Sequence, residues 1–571
     1  MMSNPVTKAT NMSHPKGIYL LFFTEMWERV NYFGMRAIFI LFLTKALMFS
    51  DQDGSTIYGS FTGLVYLTPL LGGYLCDRYL GNRKSIITGG ILMAIGQFVM
   101  FLCASVLENR DLSITLMWVG LTIMIMGNGF FKPNISTMVG KLYPKGDHRI
   151  DSAFTIFYMG VNVGAFIAPL ICGGAWVVGD IHTFKWGFLV AFFGMIISVL
   201  AFYFYQNKYV VTAEGEPIGM PMQKMNFKTL GMIIGATLLL FSLLSFKSFF
   251  KLDWDVAWYL ILTAMIAVPA LIITDKSLTA QERSRIWVIF IIVFFVIFFW
   301  SAFEQAGASL TLFADRNIDR AINVNIPKEV LVILGIAIAY FVSRALVWLF
   351  EWKKMVIYLV TGLATVIMLW LVFNETLTDL HLTEFTASWF QSVNPLAIIV
   401  LAPFFTFLWG WLDKRKKEPA SPVKMVWGIA ILCLGYILIA YGVKGVDSQT
   451  KIAMWWLVAL YVLHTIGELC LSPIGLSMVS KLAPVRFGSL LMGTWYLSSA
   501  FSNKFAGTLS SYIPPSAEDV ATGVAHYRSL LGFQITNLYD FFTVFIVMSG
   551  TAAIILLILS GWLKKMMHGI R

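Results

Sequence analysis

The sequence predicts an all-α protein that crosses a membrane about sixteen times. Of its 571 residues, 58% are hydrophobic and 13% are charged, whereas a soluble globular domain has about 25% charged residues. Apolar windows of about 20 residues, long enough to cross the core of a bilayer as a helix, recur along the chain. The net charge of +11 comes from short basic clusters between these windows. This distribution is typical of loops beside a membrane and not of a nucleic-acid-binding surface.

Sixteen apolar windows define the predicted spans. They cover residues 17–47, 54–76, 85–106, 112–138, 151–178, 185–206, 228–247, 254–274, 285–313, 329–350, 355–373, 390–412, 424–443, 453–480, 487–511 and 539–563. An even number places both termini on one side of the membrane. Most of the 42 Lys and Arg residues lie on that side. The positive-inside rule therefore predicts a multi-pass protein of the cell membrane (inner or plasma), with both termini cytoplasmic.

The first predicted span carries a stripe of charged and polar side chains. Its members are Glu25, Glu28, Arg29, Tyr32 and Arg36, which fall within an arc of about 100° on a helix. Each charge at the middle of a bilayer costs roughly 2.5–3.5 kcal/mol. Snorkelling from a helix end does not explain the stripe, because apolar residues continue on both sides of it. The stripe predicts a helix that lines a polar path through the membrane.

Few other charged or amide side chains lie within the predicted spans. They are Lys132, Glu304, Glu468, Asn162 and Asn394, with Arg344 and Lys504 expected nearer the periphery. For the asparagines, an interhelical hydrogen bond explains the residue as well as substrate binding does. A fixed buried salt bridge is the alternative for Lys132 and Glu468, although intramembrane charges usually mark the path of an ion or substrate.

The sign of these charges differs between the two halves of the chain. The first half offers Arg29, Arg36 and Lys132, and the second half offers Glu304 and Glu468. A cavity between the halves would have one positive and one negative wall. Such a cavity suits a zwitterion, with its carboxylate toward Arg36 and Lys132 and its ammonium group toward Glu468. The aromatic candidates for lining it are Tyr32, Tyr66, Trp300 and Trp495, although lipid-facing or interfacial packing is the default for any one of them.

Several motifs of the sequence resemble a known family. Glu25-x-x-Glu28-Arg29, followed by Tyr32-Phe-Gly34-Met-Arg36, is similar to the E-x-x-E-R signature of the proton-dependent oligopeptide transporters, within the major facilitator superfamily. The resemblance continues in order along almost the whole chain. It includes Gly73-x-x-x-Asp77-Arg78, Phe-Phe-Lys132-Pro-Asn-Ile-Ser, Phe157-Tyr-Met-Gly-Val-Asn162-Val-Gly164, Phe303-Glu304-Gln305, Trp389-Phe-Gln-Ser-Val-Asn394-Pro395, Gly467-Glu468-Leu-Cys-Leu-Ser472-Pro473 and Met492-Gly-Thr-Trp495.

The resemblance implies two six-helix bundles with an interbundle helix pair and an additional helix hairpin. The implied domains are an N-terminal bundle at 1–206, a linker with two extra transmembrane helices at 207–283, and a C-terminal bundle at 284–571 that includes the hairpin at about 329–373. The implied activity is proton-coupled symport of di- and tripeptides by alternating access, with the proton as coupling ion and no cofactor or metal.

The resemblance also implies roles for particular residues of this chain. Arg36 and Lys132 would meet the peptide carboxylate, whereas Glu468, Asn162 and Asn394 would meet its amino end. The pockets would be shaped by Tyr32, Tyr66 and Trp495. Proton coupling would involve Glu25, Glu28 and Arg29, together with Glu304, which would also pair with Arg36 in an outer gate.

Two features depart from the family pattern. The family usually has two tyrosines where this chain has Tyr32-Phe33, so one phenol is missing. Two apolar segments, 329–350 and 355–373, stand between Phe-Glu304-Gln and Trp389-Phe-Gln, where the family has a short loop. We expect them to form a peripheral hairpin that returns the chain to the outer face, with lipid anchoring or an oligomer contact as candidate roles.

Other functions fit the sequence less well. A transporter of nitrate or another small organic or inorganic anion would keep the fold, but an anion needs no acidic wall such as the one Glu468 provides. A membrane-embedded enzyme is disfavoured because the sequence shows neither a metal-ligand cluster nor a nucleophile–base pair. The expected partners are small peptides and the lipid bilayer, with no nucleic acid, and the oligomeric state stays open.

Overall fold

A computed structural model of the protein describes residues 13–570, apart from a number of gaps. The gaps are at 145–146, 148, 213, 221–230, 232–234, 236–237, 240–241, 243–254, 448–449, 516–519, 521–522 and 524–525. The predicted span at 228–247 lies largely outside the described residues.

The described residues are predominantly helical. The helices are α1 (Lys16–Leu41), α2 (Asp51–Leu67), α3 (Pro69–Leu75), α4 (Gly81–Cys103), α5 (Arg110–Lys141), α6 (Ile150–Cys172), α7 (Ala175–Val178), α8 (Phe184–Tyr209), α9 (Val256–Ile273), α10 (Ala280–Phe303), α11 (Ser309–Asn317), α12 (Lys328–Phe350), α13 (Met355–Phe373), α14 (Val393–Lys414), α15 (Ser421–Val443), α16 (Trp455–Leu482), α17 (Gly488–Ser510) and α18 (Leu538–Met566). The strands are β1 (Ile318–Asp319), β2 (Ala321–Ile326), β3 (Leu380–Glu384), β4 (Ile452–Ala453), β5 (Arg528–Leu530) and β6 (Phe533–Ile535). They form three small two-stranded sheets, β1–β4, β2–β3 and β5–β6.

The all-α membrane fold predicted from the sequence is confirmed. Every predicted span other than 228–247 contains one or more of these helices. Among the described residues, twelve helices are long and apolar enough to cross a membrane. Helices α1, α2 and α17 are not in that set, and α1 contains the stripe of charges that lowers its hydropathy.

Several predicted spans are interrupted where the sequence cannot continue a regular helix. The window at 54–76 is divided into α2 and α3 at Thr68, directly before Pro69, because proline lacks the backbone N–H that a helix interior needs. The window at 285–313 is divided into α10 and α11 by a 3₁₀ turn at Glu304–Gly307. This turn places Glu304, a charged residue of the second half, at the break between α10 and α11.

Close helix crossings depend on glycine. Helices α4 and α5 approach so closely that a Cβ atom on Gly89 would lie 2.6 Å from the carbonyl oxygen of Gly127. Helices α2 and α17 belong to different halves of the chain, and a Cβ on Gly59 would lie 2.7 Å from Cα of Gly507. Small residues allow such approach between membrane helices, where packing and not the hydrophobic effect drives association.

The two halves of the chain meet at the end of the bundle remote from the start of α1. We call the end where α1 begins the N-terminal face, and the other end the opposite face. At the opposite face Lys45 pairs with Asp315 at 2.7 Å, and Arg316 donates to both carboxylate oxygens of Asp51 at 2.5 and 2.7 Å. Ser55 on α2 lies 3.1 Å from Ser510 on α17, Oγ to Oγ. These contacts close the opposite face.

Helices α12 and α13 form the predicted additional hairpin. Antiparallel pairing of β2 with β3 brings the two ends of the hairpin together, so the chain returns to the face that it left. Most of the hairpin is exposed, and α13 has no buried residue. The hairpin is thus peripheral over most of its length, as expected, but its turn is not, because Leu349 and Phe350 are buried against helices of the first half.

Candidate functional site

The stripe of α1 faces the interior of the protein. Glu25, Glu28 and Tyr32 are at most 2% exposed, and Arg29 and Arg36 are each 7% exposed. Burying a charge is costly unless the charge is paired and hydrogen-bonded. The partners of these side chains therefore show how the site is held.

Glu25, Glu28 and Arg29 form one buried cluster close to the middle of α1. Glu25 lies one helical turn before Arg29, and its Oε1 accepts a hydrogen bond of 2.7 Å from Arg29 Nε. The same nitrogen lies 3.3 Å from Glu28 Oε2. Asn128 of α5 donates its amide to Glu28 Oε1 at 3.2 Å. One guanidinium is thus shared between two carboxylates, so protonation of either would leave it more strongly bound to the other.

Arg36 connects the two halves of the chain. Its Nη2 lies 2.6 Å from Glu304 Oε2, and its Nε donates to the hydroxyl of Tyr58 at 2.9 Å. Both Arg36 and Glu304 are 7% exposed. The 3₁₀ turn that begins at Glu304 ends at Gly307, which also lies against Tyr58. A side chain does not fit at position 307 in this arrangement, because a Cβ there would lie 1.8 Å from Tyr58 Oη.

The 3₁₀ turn that carries Glu304 is held by hydrogen bonds from the second half. The hydroxyl of Tyr436 donates to the carbonyl of Ala302 at 2.7 Å, and that of Tyr461 donates to the carbonyl of Ala306 at 3.3 Å. The amide of Gln305 donates at 3.0 Å both to its own helix and to the carbonyl of Ala506 on α17. These donors satisfy carbonyl groups at the helix break.

Lys132 lies among aromatic rings. Its Nζ is 3.7 Å from the ring centroid of Tyr66 and 6.0 Å from that of Tyr32. The two tyrosine rings are 6.4 Å apart and nearly perpendicular. In the described part of the chain Lys132 has no carboxylate within 4.0 Å, so the alternative of a fixed buried salt bridge does not describe it. The ring faces stabilise the cation and leave it available to an anionic ligand.

Glu468 forms the acidic part of the second half. Its Oε2 accepts a hydrogen bond from Asn394 Nδ2 at 2.9 Å, and the same amide donates to Thr465 Oγ1 at 3.0 Å. Glu468 is 8% exposed, and it interacts electrostatically with Arg36 and Glu304. The described site therefore has cations on one side and this carboxylate on the other.

The other predicted site residues are placed differently. Asn162 donates its amide to the carbonyl of Tyr158, one turn earlier on its own helix, at 2.9 Å. Trp495 is 4% exposed and packs over Gly475, where a Cβ would lie 2.0 Å from its ring. Lys504 was expected near the periphery, and that expectation is wrong.

Lys504 is fully buried between the two halves of the chain. Its Nζ lies 2.5 Å from Asp255 Oδ2 and donates to Ser60 Oγ at 2.8 Å. Arg344 is exposed and donates to the hydroxyl of Tyr340 at 3.2 Å. The carboxylate of Asp255, which directly precedes α9 and is distant in the sequence, thus offsets the cost of burying the charge of Lys504.

Three residues of the site were missed in the sequence. Asn128 carried a signal, because an amide in the middle of an apolar span seeks a partner. Thr465 also carried one, since it lies three residues before Glu468 on the same helical face. Tyr58 carried none, because tyrosine is common in this chain and the role of Tyr58 depends on its contact with Arg36.

The comparisons with known proteins agree with one another. The model of the POT family matches residues 83–342 and 342–523. The peptide transporter YePEPT of Yersinia enterocolitica subsp. palearctica is 30% identical, and the match covers 90% of each chain. The di-/tripeptide transporter of Lactococcus lactis subsp. cremoris is also 30% identical, over 90% of this chain and 92% of the relative.

Solved structures give the same result. A POT family transporter in complex with a thioalcohol-conjugated peptide has a TM-score of 0.72 at 27% identity, and the match covers 97% of each chain. The peptide transporter POT in complex with sulfate has a TM-score of 0.72 at 26% identity, covering 99% of this chain and 98% of that one. The fold and the buried charges define a multi-pass membrane transporter of the major facilitator type. The chain belongs to the POT family.

Proposed function

We propose that the protein is a proton-coupled symporter that imports di- and tripeptides by alternating access. The observation that carries this proposal is the pair of oppositely charged groups around the site. Arg36 and Lys132 lie on the first half, and Glu468 lies on the second, all within the membrane region. A free peptide has a carboxylate and an ammonium group at its two ends, so it complements both walls.

The carboxylate of the peptide would bind to Lys132 and Arg36. The Lys132 ammonium group rests on the ring of Tyr66 and has no carboxylate partner among the described residues, so it can receive an anion without breaking an ion pair. Arg36 is different, because Glu304 occupies it in this structure. A peptide carboxylate would compete with Glu304 for the guanidinium of Arg36.

The ammonium group of the peptide would bind to Glu468. The Asn394 amide orients the Glu468 carboxylate through a hydrogen bond of 2.9 Å to Oε2, which leaves Oε1 for the ligand. Asn162 uses its amide N–H within its own helix, but its side-chain oxygen can accept a hydrogen bond from the ammonium group. Tyr32, Tyr66 and Trp495 would contact the peptide side chains.

Glu25, Glu28 and Arg29 would couple transport to protons. In this cluster Arg29 is shared by two carboxylates. A proton that neutralises one of them changes the charge of the cluster from net negative to neutral. This change weakens the hold of the cluster on nearby cations, and Lys132 is close enough to Glu28 to interact with it. Proton binding would thereby favour transfer of Lys132 to the peptide carboxylate.

Alternating access requires that the contacts at one face break while those at the other form. Arg36 and Glu304 hold the halves together beneath the opposite face, and a path to that face opens only when they separate. The proposed orientation has the N-terminal face and both termini in the cytoplasm of the cell, with the opposite face outside the inner or plasma membrane. The structure then corresponds to a transporter closed toward the outside.

Transport of a small anion such as nitrate is the second candidate. Lys132 over its tyrosine ring and Arg36 would also bind an anion, but such a substrate leaves the carboxylate of Glu468 without a role. A catalytic function is not proposed for a member of this family of transporters. The coupling ion is the proton, and no cofactor is proposed.

Uptake into proteoliposomes tests the proposed function. Purified protein should accumulate labelled dialanine when the lumen is alkaline relative to the bath, and should only equilibrate it without a gradient. N-acetylated, amidated dialanine is the matched control ligand, because it lacks both charges. Gradient-driven accumulation of nitrate without accumulation of dialanine would reject the peptide assignment in favour of the anion.

A further inference from the structure

The additional hairpin is rooted in the second half of the chain. It begins after β1, which pairs with β4 at Ile318 and Ile452, directly before α16. The ribbon of β2 and β3 then joins its two ends, and Arg320 ties them together through an ion pair of 2.6 Å with Glu384. These anchors lie at the opposite face.

The turn of the hairpin, by contrast, is docked on the first half at the N-terminal face. Phe350 is 5% exposed and stacks on Tyr205 of α8 with ring centroids 4.1 Å apart. Trp348 packs edge-on against Tyr19 of α1 at 4.8 Å. Leu349 and Phe350 belong to the same buried apolar cluster as residues of α1, including Ile18. The hairpin therefore connects one half at one face to the other half at the other face.

Polar contacts fix the orientation of this dock. Glu351 accepts from Lys16 of α1 at 2.6 Å and from Lys208 of α8. The indole N–H of Trp352 donates to the Tyr205 hydroxyl at 2.5 Å. We call these contacts of residues 348–352 with α1 and α8 the hairpin dock.

The dock lies on the part of α1 that precedes the functional stripe. Lys16, Tyr19 and Phe23 occupy its first two turns, and Glu25 follows directly. A rigid helix transmits a displacement of its first turns along its axis, so whatever holds these turns also positions the charges beyond them.

We propose that the hairpin positions α1 for transport, with Glu351 and Phe350 as positioning residues that keep the turn of the hairpin on the first half throughout the cycle. This inference rests on the proposed function, since it assumes that the two halves move relative to each other. Helix α13 does not resist this movement of the halves, because none of its residues is buried against either half. The two-stranded ribbon at the opposite face is the hinge.

Glu351 keeps its negative charge over the pH range in which transport would be assayed. Hydrogen bonds from Lys16 and Lys208 lower the pKa of Glu351 to about 2, from an ordinary value of 4.5. The carboxylate therefore keeps its charge as the pH falls, until the pH approaches 2. The pH profile of transport should consequently be the same with and without this carboxylate.

Distance measurements test where the hairpin turn moves. Spin labels would be attached at Lys354→Cys on the hairpin, Lys84→Cys on the first half and Lys417→Cys on the second half, all at exposed positions. The protein would be compared with and without Glu304→Gln, which biases the halves toward opening. The 84–417 and 354–417 distances should change together, while the 354–84 distance stays within about 2 Å. A 354–84 distance that changes as much as the 84–417 distance would overturn the proposal.

Charge variants test whether the dock acts on transport. Glu351→Lys places three cations together and should lower dialanine turnover at least fivefold, without changing the Kd for dialanine or the pH profile. Glu351→Asn should have a smaller effect, because asparagine tolerates the left-handed backbone of this residue at φ 57°. The triple variant Lys16→Glu/Lys208→Glu/Glu351→Lys should recover at least half of the turnover.

The matched control is Glu375→Gln, at the other end of the hairpin. Turnover in Glu351→Lys within twofold of this control would overturn the proposal. So would a parallel loss of affinity and turnover that the triple variant does not rescue. Failure of the proposed function itself is distinguishable, because the unaltered protein would then fail to transport dialanine while the distance changes remained measurable.

Discussion

Replacing Glu304 by glutamine is expected to open the opposite face of the protein. In the closed structure the guanidinium of Arg36 is 7% exposed and lies 2.6 Å from the Glu304 carboxylate. The substitution keeps the size of the side chain and removes its charge. In an open structure both groups would be hydrated, so the loss of attraction acts mainly on the closed state.

The magnitude follows from the burial of the pair. Removing one partner of a buried ion pair costs about 3–5 kcal/mol. The hydroxyl of Tyr58, which accepts from Arg36 at 2.9 Å, and the ring of Phe33 reduce this cost. We therefore expect a loss of about 2–3 kcal/mol from the closed state, which shifts the equilibrium between closed and open forms by about 30-fold to 150-fold.

Labelling of a buried cysteine measures this shift. Ser55 is fully buried where α2 meets α17 at the opposite face, so Ser55→Cys should react with a membrane-impermeant thiol reagent only when that face opens. Lys45→Gln is the matched control. It breaks the more exposed pair with Asp315, in which the lysine side chain is 41% exposed, and such pairs are worth about 0–1 kcal/mol.

The two variants should therefore differ clearly. Labelling should be at least tenfold faster in Glu304→Gln than in Lys45→Gln. If the rates of the two variants agree within twofold, the Arg36–Glu304 pair does not hold the face closed. Charge reversal of both Arg36 and Glu304 should restore part of the slow labelling, because the attraction survives the exchange.

Three further substitutions give separate expectations. Glu28→Gln should abolish gradient-driven dialanine accumulation and leave some exchange, because it removes a charge of the Arg29 cluster, and accumulation at the rate of the unaltered protein would exclude Glu28 from coupling. Glu468→Gln should weaken binding of free dialanine by about 2–5 kcal/mol, far more than binding of its N-acetylated form, whereas equal losses measured by calorimetry would reject the ammonium site. Gly307→Ala should speed labelling of Ser55→Cys, since its Cβ would lie 1.8 Å from Tyr58 Oη and 2.7 Å from Arg36 Nε, and unchanged labelling would show that the turn adjusts.

The helices and the stripe of α1 could be predicted because their signals are local. A run of apolar residues determines a membrane helix by itself, and side chains three and four residues apart lie on one face of it. The breaks within the predicted spans were harder to predict from the sequence. Pro69 marks the break between α2 and α3, but the turn at Glu304–Gly307 contains no proline and depends on hydroxyl donors from α15 and α16.

The partners of buried charges could not be predicted from local patterns. Lys504 was expected nearer the periphery, yet Asp255 and Ser60 pair with it from distant parts of the chain. The hairpin posed the same difficulty. The long apolar run of α12 indicated contact with lipid, and only the fold shows that Phe350 at its end reaches Tyr205 in the other half.

The contacts around the buried charges distinguish Lys504 from the cluster on α1. Lys504 binds a carboxylate and a hydroxyl, which suits a charge that stays fixed. The cluster on α1 differs, because its single cation, Arg29, lies 3.3 Å from Oε2 of Glu28 while Oε2 of Glu25 accepts no hydrogen bond from any described residue. Oε1 of Glu25 meanwhile holds Arg29, and Oε1 of Glu28 holds Asn128. One guanidinium thus holds both carboxylates, and neutralising either would leave Arg29 to the other, which is the exchange on which the proposed proton coupling depends.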